Sequence, residues 1–81
     1  MTDDQLDYLD KVVNEVLDGD YARVGVLSTG ERLYVALGAS DVALLRDMGY
    51  TIVQAIGRLD NGDAHQLVRR WRAVDRWAGQ P

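Results

Sequence analysis

Apolar positions recur along residues 3–18 with the period of a helix. Leu6, Leu9, Val13, Val16 and Leu17 form one stripe, which Val12 widens, while Asp4, Asp7, Lys11, Glu15 and Asp18 occupy the opposite side. The ends of this helix are also written in the sequence. Thr2 followed by Gln5 has the spacing of a capping box, Asp3 and Asp4 place negative charge at the positive end of the helix dipole, and Gly19 fits a stop.

The pattern then changes. Residues 21–28 and 31–38 alternate well enough to predict two strands joined at Ser28-Thr29-Gly30-Glu31. This register sets Val26 opposite Leu33, Val24 opposite Val35 and Ala22 opposite Leu37. These residues then share a buried face, and the other face presents Tyr21, Arg23, Gly25, Arg32 and Tyr34, with Tyr34 lying over Gly25. Thr29 fits such a turn poorly, because a β-branched residue resists the positive φ of a tight hairpin.

Ser40 is the expected cap of a short helix over 41–48, carrying Val42, Leu44, Leu45 and Met48, which Gly49 ends in the left-handed conformation with Tyr50 folding back on Leu45. Residues 50–56, β-branched and apolar, read as a third strand, reached by a right-handed helical crossover. Asp63 and Gln66 open a last helix over 63–78. Its inner face holds Leu67, Trp71, Val74 and Ala78, with Ala64 and Val68 at the margin, and residues 79–81 fray. The expected architecture is a single α+β domain of order α-β-β-α-β-α, a three-stranded mixed sheet with helices mainly on one face and open strand edges.

Composition narrows the chemistry. The 81 residues contain no cysteine, which removes disulfides, thiolate nucleophiles and thiolate-bound metals. Neither a signal-peptide pattern nor an apolar run of membrane-spanning length occurs, so a cytoplasmic location without membrane contact is expected. Eight arginines against Lys11 alone match the coding bias of GC-rich bacteria. The net charge of −4 is unevenly spread, because residues 1–20 hold seven carboxylates against Lys11. An acidic chain gains nothing from phosphate attraction, so nucleic-acid binding would have to come from a local patch.

His65 is the one histidine, and neither Ser28 nor Ser40 lies in a nucleophile pattern, so the chain is read as non-enzymatic. Asp60-Asn61-Gly62-Asp63 matches part of a calcium loop without its closing acidic residue, and a turn with a helix cap accounts for it. Gly25 and Gly30 have P-loop spacing, but Glu31 stands in place of the lysine. No cofactor or metal is expected.

Two surfaces are candidates for a partner. One is the Tyr21, Arg23, Arg32, Tyr34 sheet face. The other is the row of Arg69, Arg72 and Arg76, flanked by Arg70 and Trp77. The ordinary alternatives are amphipathic packing for the first and a solvated helix face for the second. The function expected is a protein-interaction domain, homodimeric through a sheet edge or open sheet face. The alternative is a nucleic-acid module using the Tyr/Arg face or the arginine row.

Overall fold

A computed structural model describes residues 1–73, and all regular structure among them is helical. Five α-helices are present: α1 (Asp3–Leu17), α2 (Thr29–Gly38), α3 (Val42–Asp47), α4 (Ile52–Arg58) and α5 (Asn61–Trp71), with a single 3₁₀ turn at Val24–Val26. The α+β expectation is therefore overturned, and with it the hairpin of 21–38, the strand at 50–56 and every sheet face and edge.

Helix α1 forms as its pattern dictates. The Gln5 amide donates to Thr2 Oγ1 (3.2 Å) and the Thr2 amide to Gln5 Oε1 (2.9 Å), closing the capping box. Gly19, at φ 89°, ends the helix in a Schellman motif: its amide donates to the Val16 carbonyl, and that of Asp20 to Glu15. Leu6, Leu9, Val12, Val13 and Val16 are all buried.

The stretch expected to turn a hairpin instead begins a helix. Ser28 and Glu31 make a reciprocal pair of the same kind, the Glu31 amide donating to Ser28 Oγ (3.3 Å) and the Ser28 amide to Glu31 Oε1 (2.9 Å). The Ser28 amide, and then the Ser28 hydroxyl, hold the Glu31 carboxyl below its ordinary value by bonding its charged form. Helix α2 then runs through the middle of the molecule and packs against α1, α3, α4 and α5. Leu33, Tyr34, Val35 and Ala36 are completely buried, four consecutive positions that cover the whole circumference of a helix. Each larger side chain among them contributes about 1.5–3 kcal/mol by leaving water. Val26 does not join them: it is 83% exposed on the 3₁₀ turn, while Val24 and Leu27 anchor that turn to the core. At Gly38 α2 lies close against α1, since a Cβ there would lie 3.0 Å from a Val13 methyl.

Helix α3 is capped by Asp41, not Ser40: the Leu44 amide donates to Asp41 Oδ1 (3.0 Å). Ser40 is instead the left-handed residue (φ 53°) that ends α2, with the Asp41 amide bonded to the Ala36 carbonyl. The expected stop at Gly49 is present, at φ 83°, with the Tyr50 amide donating to Leu45. Thr51 and Gln54 form a third capping box and start α4. Asp60, accepting from the Gly62 amide (2.7 Å), starts α5 earlier than expected. Asp63 does not cap it; its carboxylate pairs with the amino terminus at 3.1 Å. Val74, Arg76, Trp77, Ala78 and the 79–81 end lie outside the described residues, as does the expected continuation of the last helix to 78.

Candidate interaction surface

The residues expected on one sheet face are dispersed. Tyr34 sits in the core, where its hydroxyl donates to Asp10 Oδ1 at 2.7 Å. Burial, and then the Asp10 carboxylate, raise its pKa above the ordinary tyrosine value. Arg32 folds back on the connection and donates to the Leu27 carbonyl (3.0 Å). Arg23 lies over the Tyr8 ring at 5.9 Å and pairs with Glu15 at 3.5 Å. Tyr21 remains exposed, donating its hydroxyl to Asp41 Oδ2, a bond that raises the tyrosine pKa. No common surface joins these four.

Of the arginine row, Arg69 and Arg72 lie among the described residues, and Arg70 is its expected flank. Arg69 and Arg72 are exposed, but Arg70 is turned onto α1, where Nη1 donates to Asp7 Oδ1 (2.7 Å) and Asp10 Oδ2 (2.9 Å), with Asp3 3.9 Å away. Asp7 and then Asp10 push the guanidinium pKa above its ordinary value. The Trp71 indole donates to the Asp10 oxygen that Tyr34 uses, at 2.8 Å. Asp10 thus ties α1, α2 and α5 together with three donors, an arrangement that satisfies a half-buried carboxylate and serves as a structural pin. A polar cleft of about 360 Å³ beside it is lined by Asp3, Gln66, Arg69 and Arg70, and the Asp3 carboxylate opposes any anion entering it.

A different surface stands out on physical grounds. Helix α4 is seven residues long and buries only Ala55, with Leu59 just beyond it. The other apolar side chains are only partly covered: Ile52 is 50% exposed and Ile56 46%, while Val53, nearly opposite Ala55 on the helix, is 78% exposed. Val42, at the start of α3, adds a further exposed side chain at 43%. Between the two helices runs an open groove of about 380 Å³, lined by Val42, Leu45, Arg46, Tyr50, Thr51, Ile52 and Val53. A smaller hollow of about 100 Å³ continues it toward the end of α2 through shared Val42, Leu45 and Ile52. Ile52 and Ile56 are one turn apart, so the groove and the α4 face form one apolar surface. Contiguous patches on this order of a few hundred Å² commonly mark interaction sites on small proteins.

None of these surface residues is among the candidates drawn from the sequence. The signal available was the Thr51-x-x-Gln54 spacing, identical to that of Thr2 and Gln5. Once 52–58 is a helix, Ile52, Ala55, Ile56 and Leu59 share one stripe, and Val53 falls outside it.

His65 is exposed on α5 and lines neither groove. Among the described residues, no three metal-ligating side chains of His, Cys, Asp or Glu are grouped to hold an ion, and no helix is long and apolar enough to cross a membrane. Comparison with known proteins returns no matching family model, no matching curated protein and no matching solved structure.

Proposed function

We propose that this chain is a non-enzymatic helical interaction domain that covers its α3–α4 face with another polypeptide. The observation that carries this reading is α4 itself, a seven-residue helix held to the molecule by one fully buried residue and displaying three large aliphatic side chains to solvent. Helices so short are marginal in water, and their stability comes from packing, so a partner on the open side stabilises α4 and removes the apolar surface together. His65 and Asp63, neighbours on α5, give no support to catalysis: the histidine is solvated and the carboxylate is held by the amino terminus.

Nucleic-acid binding through Arg69, Arg72 and Arg76 has less support. Arg70 is consumed by Asp7 and Asp10, and the acidic face of α1 adjoins the row, so phosphate would approach against carboxylates.

Photo-crosslinking tests the reading. Benzoylphenylalanine in place of Val53 should give covalent adducts to a polypeptide in living cells, whereas the same probe in place of Asp4 should not. Absence of adducts from position 53, or equal labelling from both, would overturn it.

A further inference from the structure

We propose that the segment covering the α3–α4 face is an amphipathic helix of a partner protein, one that carries an acidic side chain beside its apolar anchors and pairs it with Arg46. The inference rests on the reading above and adds the chemistry of the occupant.

The lining of the groove makes the selection. Among the described residues that line it, Val42, Leu45, Tyr50, Ile52 and Val53 are apolar or aromatic, Thr51 is polar, and Arg46 alone is charged. The carboxylates nearest in sequence do not neutralise it there. Asp41 is engaged, one oxygen accepting from the Tyr21 hydroxyl and the other from the Leu44 amide, and Asp47 is not part of the lining. Among the described residues, the Arg46 guanidinium has no ion-pair or hydrogen-bond partner, and the Tyr50 hydroxyl has none either. Thr51 Oγ1 already accepts from the Gln54 amide. A guanidinium offers only donors and a tyrosine hydroxyl readily donates, so the groove lacks an acceptor, best supplied as a carboxylate.

Other arginines make the contrast. Arg23 and Arg70 are held by carboxylates of α1 and Arg32 by the Leu27 carbonyl. The polar cleft beside Arg69 and Arg70 has Asp3 in its wall. Only at the α3–α4 groove does an unpaired arginine adjoin apolar surface with no carboxylate in the lining, and arginine beside aliphatic and aromatic side chains is the composition of protein interfaces.

Long-range charge narrows the partner further. A basic segment meets Arg46 at the groove and is drawn instead to residues 1–20, which carry seven carboxylates against Lys11. A polyacidic segment is opposed by the net charge of −4. The segment that fits is apolar on the face it presents and carries one or two carboxylates at its flank.

Shape favours a helix over a small ligand. Small ligands are held by enclosure, with roughly 70–90% of their surface buried. Here an open groove of about 380 Å³ runs into a hollow of about 100 Å³ through shared Val42, Leu45 and Ile52. That form suits successive side chains of a helix lying across it, one anchored in the hollow and the next a turn along.

Three synthetic peptides of roughly 14 residues test the proposal, a length sufficient for an amphipathic helix to form on binding. They share leucines at i, i+3, i+4 and i+7 and differ only in two flanking residues, which are glutamate, glutamine or lysine. Amide NMR of the isotope-labelled full chain, titrated to about 1 mM peptide, reads binding at 42–53 separately from binding at α1. The glutamate peptide should shift the amides of 42–53 and bind there about tenfold more tightly than the lysine peptide, with glutamine between them. That is the size expected when a partly exposed charge pair is made in one case and opposed in the other. Arg46→Glu should reverse the order and Arg46→Gln should abolish it. Both variants should keep the remaining amide spectrum, because Arg46 is exposed and unpaired among the described residues. Peptides that leave 42–53 unperturbed at about 1 mM, or a preference that survives Arg46→Glu, overturn the proposal. So does tighter binding of dodecanoate, which offers an apolar chain and a carboxylate without a peptide, or self-association of the chain that Val53→Asp abolishes. Adducts from position 53 to a polypeptide, without any preference for the glutamate peptide, remove the acidic segment and leave the interaction-domain reading standing; absence of adducts removes both.

Discussion

Tyr34 shows how far the surroundings of one residue decide its role. Its position in the sequence, alternating with Arg32, is compatible with an exposed aromatic on a sheet. In the folded chain it is wholly buried, and its hydroxyl shares Asp10 Oδ1 with Trp71. Tyr34→Phe removes one of three donors to that carboxylate and should destabilise the fold by about 1–2 kcal/mol in urea titrations. The pH dependence has a definite sign. A tyrosine whose pKa is raised by folding holds its proton more tightly in the native state. Its contribution to stability is whole below the unfolded value near 10 and declines above it, by at most about 1.4 kcal/mol per pH unit. Stability measured between about pH 9 and 11 should thus fall less steeply in Tyr34→Phe than in the wild type. Equal slopes would show that Tyr34 ionises as freely folded as unfolded.

Among the elements, legibility tracks how each helix is buried. Helix α1 lies with one face in the core and one in water, so its period is plain in the sequence, and its cap and glycine stop agree with it. Helix α3 and its Gly49 stop are legible in the same way, apart from the cap lying at Asp41. Helix α2 is surrounded on all sides, which erases the alternation of polar and apolar positions; a run such as Leu33-Tyr34-Val35-Ala36 is then as consistent with a buried strand as with a buried helix. Helix α4 is hard to read because it is short: Ile52, Ala55, Ile56 and Leu59 fall at helical spacing, but a short apolar run rich in β-branched residues is as consistent with a strand. In both, the Ser28–Glu31 and Thr51–Gln54 capping pairs were the local evidence for a helix, outweighed by β-branched residues whose strand preference depends on context. The exposed apolar face was hidden along with α4. The end of α2 carries one residual strain, Ser40 at φ 53°, in the position where a Schellman motif favours glycine. Ser40→Gly should raise stability by about 1 kcal/mol, read as an increase in melting temperature; a decrease would mean that the serine side chain does more than tolerate its backbone.

The whole molecule is built unevenly around α2. One side is secured by the deep packing of α1 and by the Asp10 pin to Tyr34, Arg70 and Trp71, and the other by short helices with apolar surface left over. A chain of this length hides a modest share of its surface, so a partner on the weaker side adds stability where the fold has least. This unevenness makes a direct prediction about backbone opening. Amide hydrogen exchange at residues 52–58 of the isolated chain reports how weakly α4 is held while uncovered. The account predicts rapid exchange there, while residues 33–38 of α2 are strongly protected. Protection at 52–58 equal to that at 33–38 would contradict it.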